Sequence, residues 1–484
     1  MELMMAFCIA GIMICLGVAV RAKVKPVREM LIPATVVGGT IGCILMNIFK
    51  KQAAGLGVSS SLFTTIVGYL YIISYIAIGL TKSEKKRITD EAGEKAGKNI
   101  VKASFGISVT WNVILSVQAV VGILIAFLVG GSYKMNPMYG ILIPFGFCEG
   151  PGSAATYGLL FEKYGWTDAA AVAVTFAVVG FVCAFVVGVP LAKFGIKKKI
   201  ARHAGKVGDS VTKGFYPPEE QRETMGKVTM HAGSLETLSF HFALIMGCYI
   251  LALGLAKLFS FIPGFIGDSL SGLVYVCGMI VAFIVRKAMD KLKISYVIND
   301  LLLTKITGMI TDFLIVLAFM AVEFSTVKKW MVPILIECVI VCAITFFICY
   351  FFGSRLGGEN DFERTLGVFG AATGTTLNGI ALIRMVDPKM KTSSIMELGL
   401  MSFPAAVYLA VASTFILGYA SGAYSTGMMI LIQAALVIGI VIAAYVTGCF
   451  GKKTYGFSKK WIEKNNQELE KQKEVSLKAK LNIP

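Results

Sequence analysis

The stretch ILIPFGFCEGPGSAATYGLL, residues 141–160, is apolar enough to enter a membrane, but small and hydroxylated residues interrupt its middle. A second stretch, LGVFGAATGTTLNGIALIRM at residues 366–385, has the same character. Glycine and proline break a helix. Because unpaired backbone groups are costly in lipid, such breaks survive at membrane depth only where they line a cavity or pack within protein. We therefore predict that each stretch is a re-entrant or broken-helix segment.

The composition of the whole chain indicates an integral membrane protein. Of its 484 residues, 56% are hydrophobic and only 15% are charged, and its mean hydropathy is +0.74. A soluble protein carries about a quarter charged residues. Runs such as residues 172–187 and 428–446 are apolar on almost every face, which is typical of helices in contact with lipid.

Besides the two broken stretches, eleven runs have the apolarity of a membrane-spanning helix, which needs about 20 residues. They are residues 3–20, 30–49, 62–80, 101–129, 169–191, 240–258, 269–284, 306–324, 331–352, 395–418 and 428–449. The first run has no basic segment before it, so we expect a spanning helix and not a cleaved signal peptide. The predicted fold class is an all-α integral membrane protein with about 10–11 transmembrane helices.

The net charge of +17 comes from basic residues that lie mainly in the hydrophilic gaps between apolar runs. The positive-inside bias produces this distribution, and we predict no nucleic-acid partner. The strongest basic cluster, residues 193–213, should be cytoplasmic, and it is so only if residues 141–160 enter and leave the membrane on one side. Residues 366–385 follow the same reasoning, which also places the C-terminus in the cytoplasm. Lys50 and Lys329 are among the few violations.

Five spans and one re-entrant segment give each half an odd number of crossings, so the halves are predicted to have opposite orientations. Gln118 and Glu337 precede the two Gly-rich breaks by similar distances along the chain, which supports this symmetry. The predicted units are inverted halves at 1–192 and 237–420, a basic cytoplasmic linker at 193–236, an extra span at 426–450 and a cytoplasmic tail at 451–484.

The cysteines and histidines favour neither a metal centre nor an enzyme. Eleven cysteines lie mostly in apolar runs, and the three histidines are His203, His231 and His241. Free cysteine behaves as a small buried apolar residue, and zinc sites need clustered ligands. The apolar segments contain no evident pair of nucleophile and base. We therefore predict a protein that is not an enzyme and has no cofactor apart from a coupling ion.

The two breaks supply groups that a transporter site needs. Amides at the start of a half-helix can hold a carboxylate, and freed carbonyls can coordinate sodium. Tight helix packing by small residues is the alternative explanation of the same composition. The candidate substrate-binding residues belong to the breaks and their flanks, and they are Gly150, Gly152, Ser153, Thr156, Gly374, Thr375, Thr376, Asn378 and Arg384.

Ionisable residues inside predicted spans are functional candidates, because a charge at mid-bilayer costs at least about 2.5 kcal/mol. Asp312 is the best candidate ligand for sodium, which prefers oxygen ligands; the alternative is a position near the membrane surface. Gln118, Glu337 and Thr373 complete the candidate sodium set. Arg384 either pairs with a substrate carboxylate or extends to the cytoplasmic surface.

Three further acidic residues lie in or near the predicted membrane segments. Glu149, in the first break, is either protonated or paired with a cation, and the sequence leaves its role open. Glu323 and Glu397 lie near the ends of predicted spans, and we expect both to reach the membrane interface.

The order and spacing of these motifs resemble the bacterial glutamate:sodium symporter family. Residues 150–157, followed by LFEKYG at 160–165, are similar to the family signature GHGTGAAW and its continuation, and residues 367–381 are similar to GHCGFGLGATPTAIA. Residues 32–39 resemble the family motif IPxPVxGG. The resemblance implies a core of two inverted halves with re-entrant loops. It also implies sodium-driven symport of glutamate or a related carboxylate, and a homodimer among the lipids of the plasma membrane.

The chain departs from the family pattern beside the candidate site. Pro151 and Val368 replace the two family histidines, Glu149 replaces a glycine, Arg384 a glutamine and Asp312 a serine. These changes bear on the choice of substrate. The alternatives are a transporter of another small organic anion with different or no sodium coupling, and a passive channel in which the broken segments are filter loops.

Overall fold

The computed structural model describes residues 1–82, 94–205, 212–216, 225–231, 233–358 and 360–467, and helices are the only regular elements within these ranges. The helices are α1 (Glu2–Lys23), α2 (Lys25–Glu29), α3 (Ala34–Ile48), α4 (Lys50–Gly55), α5 (Ser60–Leu80), α6 (Glu94–Leu128), α7 (Ile143–Phe147), α8 (Pro151–Lys163), α9 (Ala169–Lys197), α10 (Thr237–Phe259), α11 (Phe265–Gly272), α12 (Val274–Lys291), α13 (Asp300–Ala321), α14 (Phe324–Val327), α15 (Met331–Gly353), α16 (Asp361–Ala372), α17 (Thr376–Val386), α18 (Ser394–Leu400), α19 (Ser402–Ala420) and α20 (Thr426–Val446). Short 3-10 helices at Gly130–Tyr133, Pro137–Leu142, Ser295–Val297 and Lys328–Trp330 join some of them.

Many of these helices are long and apolar enough to cross a membrane. Among the described residues, eight qualify, namely α1, α5, α6, α9, α10, α13, α15 and α20. Two bent pairs, α11–α12 at 71° and α18–α19 at 41°, raise the number of candidate spans to ten. The predicted span at 30–49 is the shorter apolar helix α3, of 15 residues. The predicted all-α membrane fold is confirmed.

Polar caps set the starts of several spanning helices. Ser59, Asn299 and Ser425 accept hydrogen bonds from backbone amides in the first turns of α5, α13 and α20, at 3.2, 3.1 and 3.4 Å. Each cap satisfies one of the amides that a helix start leaves without an intrahelical partner. The polar residue before each apolar run therefore marks where the helix enters the membrane layer.

Two polar clusters define opposite faces of the helical layer. Arg286 of α12 donates to both carboxylate oxygens of Asp300, at 3.0 and 3.2 Å, and so joins the end of α12 to the start of α13. We call this side the Arg286 face. At the other end of α13, the amide of Asn47 donates to the carbonyl of Val322 at 2.8 Å, and Lys50 pairs with Glu323. We call this side the Glu323 face.

Residues 137–163 form a helical hairpin, hairpin 1, which contains α7 and α8. The hydroxyl of Tyr139, before α7, donates to the carbonyl of Thr167, after α8, at 2.5 Å. The ring of Tyr139 also lies 4.9 Å from that of Trp330, just before α15 and near the Glu323 face. Both ends of hairpin 1 therefore lie together on the Glu323 side, and its re-entrant passage into the membrane stays a prediction.

Residues 361–386 form hairpin 2, which consists of the antiparallel helices α16 and α17. Its arms touch through glycines, since a Cβ atom at Gly370 would lie 2.6 Å from the backbone nitrogen of Gly379. Arg364, near the start of α16, pairs with Glu397 of α18, which follows the end of α17. Both ends of hairpin 2 therefore lie together, beside the end of α15 on the Arg286 side.

Two segments differ in extent or packing from the predicted units. Helix α9 continues to Lys197, past the predicted start of the linker at 193. The described part of the predicted tail packs on hairpin 2, where Thr454 donates to the carboxylate of Asp361 at 2.6 Å and the hydroxyl of Tyr455 to that of Thr365 at 2.6 Å. Parts of the linker and residues 468–484 of the tail lie outside the described residues.

Candidate functional site

The tips of the two hairpins, residues 148–150 and 373–375, meet inside the protein. We call this meeting point the tip crossing. Gly150 has a φ of +83°, a backbone conformation that side chains rarely adopt. A Cβ atom at Gly150 would lie 2.6 Å from the carbonyl oxygen of Gly374 and 2.9 Å from the methyl carbon of Thr375. The backbones approach this closely because residue 150 has no side chain. Helix α16 ends at this tip crossing and α8 and α17 begin there, so unpaired carbonyls and amides converge.

Gln118 of α6 connects the tip crossing to the surrounding helices. Its amide nitrogen donates to the hydroxyl of Thr345 at 2.8 Å and to the carbonyl of Ala372 at 3.2 Å. The thiol of Cys148, in the tip of hairpin 1, donates to the same carbonyl at 3.8 Å. The last carbonyl of α16 is thus shared by hairpin 1 and α6, and Gln118 lies at the tip crossing.

Several buried polar atoms at the hairpin tips have no hydrogen-bond partner among the described residues. They are Ser153 Oγ, Gln118 Oε1, Thr375 Oγ1 and both amide atoms of Asn378. Ser153 and Asn378 have 0% exposed surface. An unsatisfied buried polar group costs about 1–3 kcal/mol, so a cluster of them calls for a ligand or a similar explanation. The two breaks therefore bring together most of the predicted substrate-binding residues.

Three other predicted residues have neighbours that define their surroundings. Gly152 packs against other helices, since a Cβ atom there would overlap the ring of Tyr71 in α5 and lie 3.0 Å from the side chain of Leu314 in α13. The hydroxyl of Thr156 donates to the carbonyl of Gly152 at 2.9 Å, and that of Thr373 to the carbonyl of Phe369 at 2.7 Å. The hydroxyl protons of both threonines are therefore used in their own helices, while their oxygens retain lone pairs that can face a cation.

Thr376 and Arg384 lie on α17, at its start and near its end, and both are half-buried. Arg384 is eight residues from Thr376, which is about 12 Å along a helix. It lies close enough to Arg21 of α1 for the two positive charges to interact. Thr376 thus borders the tip crossing, whereas Arg384 lies toward the Arg286 face.

The four predicted sodium ligands do not form one coordination shell. Glu337 is fully buried, and neither carboxylate oxygen has a hydrogen-bond partner in the described part of the chain. A Cβ atom at Gly122, one turn along α6 from Gln118, would lie 2.9 Å from Glu337 Oε1. Glu337 is eight residues along α15 from Thr345, which Gln118 contacts, and this corresponds to about 12 Å. Gln118 and Thr373 therefore lie at the tip crossing, and Glu337 lies nearer the Glu323 face.

Asp312, the leading sodium candidate, is exposed on α13. It forms no hydrogen bond or ion pair with any described residue. Leu314, two residues further along, packs against Gly152 in hairpin 1. Asp312 therefore lies two residues from a side chain that packs on hairpin 1. No hydrogen bond or ion pair joins it to a described residue of either tip.

A cluster of aromatic hydroxyls around Glu149 is part of the site that sequence reasoning missed. Tyr71 and Tyr75 of α5 both donate to Glu149 Oε2, at 3.0 and 3.2 Å. The sequence contains one signal for this pair, since two tyrosines four residues apart share one face of an otherwise apolar helix. Glu149 itself was noticed as a membrane carboxylate, but its partners lie more than seventy residues away.

Glu397 lies near a helix end, as the sequence predicts, but other parts of the protein surround it there. Glu397 has no exposed surface and accepts hydrogen bonds from Nε and Nη2 of Arg364, both at 2.7 Å. Arg364 also donates to Asp361 at 2.9 Å. Nearness to a segment end suggested exposure, but a bidentate arginine partner compensates the charge and permits burial.

The fold and the site together define a class of protein. Two broken hairpins that open toward opposite faces and meet at unpaired polar groups are typical of a secondary membrane transporter. Residues 1–391 match the family described as Sodium/glutamate symporter. The chain therefore belongs to the sodium/glutamate symporter family, and it is a multi-pass membrane transporter and not an enzyme.

Two relatives illustrate how divergent this member is. The chain is 22% identical over 388 residues to the sodium/glutamate symporter of Escherichia coli K12, an alignment that covers 79% of this chain and 88% of that protein. The sodium/glutamate symporter of Shigella flexneri gives the same identity and coverage. The family match ends at residue 391, so α18, α19, α20 and the tail lie beyond it.

Proposed function

We propose that the protein is a sodium-coupled symporter of glutamate or a related carboxylate, and that this substrate binds at the tip crossing. One observation carries this proposal: Ser153, Gln118, Thr375 and Asn378, at or beside the tips of two broken hairpins, have buried polar atoms without a partner in the described part of the chain. The names of the relatives, both sodium/glutamate symporters, support the choice of substrate and coupling ion. The family assignment supports symport over a passive channel.

Different helix ends would bind the carboxylate and the sodium ion. The N-terminal ends of α8 and α17 present free amides and a partial positive charge, which favour a carboxylate. The carbonyls at the C-terminal end of α16, including that of Ala372, carry the opposite partial charge and favour a cation. Glutamate and sodium can therefore bind side by side, and the charge of each lowers the free energy of binding the other.

Arg384 would guide the anionic substrate toward the tip crossing. It is half-buried on α17, close to the positive charge of Arg21 and away from the tip itself. Two like charges on one side of a site raise the local concentration of an anion. We therefore assign Arg384 to the approach path on the Arg286 side.

We also propose that the two halves have inverted orientations and alternate between two open states. Hairpin 1 opens toward the Glu323 face and hairpin 2 toward the Arg286 face, which supports this arrangement. The basic segments near the Arg286 face support a cytoplasmic location for that side, including the C-terminal tail, in the plasma membrane. The lipid contacts would be made by helices such as α1, α10 and α20, which are 22%, 22% and 17% buried. The proposal that the protein forms a homodimer rests on the family resemblance.

The direct test is uptake of labelled glutamate into proteoliposomes with an inward sodium gradient or with choline in its place. We expect accumulation only with sodium, because the membrane potential supplies about 2.3 kcal/mol per charge per 100 mV in addition to the concentration gradient. Uptake that ignores sodium would contradict the coupling. Equilibration without accumulation would instead indicate a passive channel.

Asp312 is tested separately, because it is exposed and forms no hydrogen bond or ion pair with a described residue of either tip. Asp312→Asn should raise the sodium concentration needed for half-maximal uptake if the carboxylate is a ligand or an entry site for the ion. An unchanged sodium titration would assign Asp312 a structural role.

The variant Arg384→Gln restores the residue type of the family. Better glutamate uptake by that variant would point to a different natural substrate.

A further inference from the structure

Glu149, in the tip of hairpin 1, is held against a platform of tyrosines. Its Oε2 accepts hydrogen bonds from Tyr71 and Tyr75, at 3.0 and 3.2 Å. The rings of both tyrosines pack on Tyr275 of α12, with centroids 5.1 and 4.8 Å away. The hydroxyl of Tyr275 is itself 2.8 Å from that of Tyr157 in α8. The carboxylate of Glu149 is therefore oriented by three helices.

Among the described residues, hydrogen bonds to Glu149 reach only one of its two carboxylate oxygens. Within the described ranges, no donor lies within hydrogen-bonding distance of Oε1, and no basic side chain pairs with Glu149. Glu149 is partly exposed. Its Oε1 retains accessible surface, whereas both oxygens of Glu337 are enclosed and unpartnered. Oε1 is thus an acceptor that no described residue uses and that a ligand can reach.

The negative charge of Glu149 lies beside the positive end of a helix. Gly150 is the N-cap of α8 and Pro151, the first helical residue, has no N–H, so the amides of the first turn begin with those of Gly152 and Ser153. That helix end favours a carboxylate, whereas Glu149 repels one unless the same molecule also carries a cationic group. A group that attracts cations, the Glu149 carboxylate, therefore lies next to a group that attracts anions, the start of α8, at the tip crossing.

From this arrangement we infer that Glu149 binds the ammonium group of an amino-acid substrate. The first turn of α8 binds the carboxylate of the same head group. This inference rests on the proposed function and specifies it, since the site takes amino acids in preference to carboxylates that lack an amino group. The family resemblance places a glycine at position 149, so this contact is particular to this chain.

The test compares glutamate with glutarate, which differs only by the missing amino group. Binding of each to the purified protein in sodium is measured by ligand-induced thermal shift and by competition. We expect the unmodified protein to prefer glutamate by about tenfold or more. In Glu149→Gln, glutamate binding should weaken until the two ligands bind alike, while glutarate binding stays unchanged or improves because the repulsive charge is gone.

A matched control separates this effect from the loss of any buried carboxylate. Glu363 of hairpin 2 has 0% exposed surface, and its two carboxylate oxygens have no partner among the described residues. Glu363→Gln should keep the preference for glutamate. Should Glu149→Gln fail to fold, Glu149→Asp shortens the side chain and should reduce the same preference.

The outcomes distinguish this inference from the proposed function. An unchanged preference in Glu149→Gln, or an equal loss of glutamate and glutarate, overturns the inference and leaves the glutamate site intact. If neither ligand binds the unmodified protein, the proposed substrate fails, and the pairs aspartate and succinate, and alanine and propionate, test Glu149 in the same way. Failure of every amino acid to bind better than its counterpart overturns the inference.

Discussion

Hairpin 2 contains two buried polar regions that differ in how their hydrogen bonds are satisfied. At its base, Arg364 donates to Glu397 through two nitrogens and to Asp361 through a third. At its tip, Thr375 Oγ1 and both amide atoms of Asn378 have no partner in the part of the chain that the structure describes. The Arg364 cluster at the base is satisfied within the protein and serves the fold, whereas the polar atoms at the tip have no partner among the described residues and are available to a ligand.

This difference predicts opposite effects of substitution in the two regions. Removing one member of a satisfied buried network leaves its partners unpaired and destabilises the fold. Removing an unsatisfied polar group relieves a cost to stability but removes a contact to the ligand. Variants at the base and at the tip should therefore separate stability from transport.

The largest effect is expected for Arg364→Met. It leaves Glu397 and Asp361 buried without their cation, which costs about 3–5 kcal/mol. The melting temperature of the purified protein in detergent measures this loss. The control is Arg355→Met, because Arg355 is partly exposed and donates to the carbonyl of Phe351, near the end of α15. Equal melting temperatures for the two variants would contradict the assignment of a structural base.

Gly150→Ala should nearly abolish transport by separating the two tips. The added methyl group meets the carbonyl of Gly374 at 2.6 Å and requires a backbone with a φ of +83°. A displacement of about 1 Å in a binding geometry can reduce a rate about 100-fold. Gly247→Ala on α10 is the control, since a Cβ atom there has no described neighbour within 4 Å. Normal uptake by Gly150→Ala would show that the tips need not touch.

Asn378→Ala should reduce uptake by about tenfold or more, since a lost contact of 1.4 kcal/mol corresponds to that factor, and it should leave the melting temperature unchanged or higher. The opposite pattern is expected for Asn47→Ala. The side chain of Asn47 donates to the carbonyl of Val322 and accepts from the amide of Phe324, both at 2.8 Å. Uptake and melting temperature are measured on the same preparations, and a loss of stability in Asn378→Ala would weaken the distinction between tip and base.

Thr454→Val tests whether the tail contributes to the base of hairpin 2. It removes hydrogen bonds to the carboxylate of Asp361 at 2.6 Å and to the carbonyl of Ser354 at 3.0 Å. We expect a loss of about 1 kcal/mol, the usual net contribution of such a bond, with transport by the folded protein retained. A melting temperature equal to that of the unmodified protein would mean that the tail is only docked on the base.

The smallest effect is expected at the surface. The hydrogen bond from Lys50 lowers the pKa of Glu323, so this pair stabilises the fold above the usual pKa of a glutamate and loses its effect as the pH falls through the lowered value. Lys50→Met should change stability by less than about 1 kcal/mol, because the pair is exposed. Thermal unfolding at neutral and acidic pH checks this, and a larger change would mean that the Glu323 face is more constrained than the exposure of the pair indicates.

Much of the fold and part of the candidate site could be predicted from local patterns. The all-α membrane class was predicted from hydropathy, and the breaks near Gly150 and Gly374 were predicted from glycine, proline and small polar residues. These features are local, because lipid requires long apolar runs and an interrupted helix needs residues that tolerate unusual backbone. Ser153, Thr375 and Asn378 were identified for the same reason.

Partnerships between distant residues could not be predicted in this way. The sequence predicts that Glu397 lies near a segment end but not that Arg364 pairs with it, and it does not show that Tyr71 and Tyr75 of α5 bind Glu149. The same limit applies to Asp312, whose residue type suggests a sodium ligand although no described residue forms a hydrogen bond or ion pair with it. A single sequence carries no direct record of contacts between residues far apart in the chain.

The sequence by itself determined that this protein crosses a membrane many times and that two of its segments are broken by glycine-rich stretches. Those properties follow from residue type and order, which set hydropathy and backbone freedom. Only the tertiary structure decided that Gly150 meets Gly374 and that the polar atoms of Asn378 remain unpaired while those of Arg364 are satisfied. Whether a buried polar group is paired depends on which helices pack against each other. Those helices are often far apart in the sequence, so their packing depends on the whole chain.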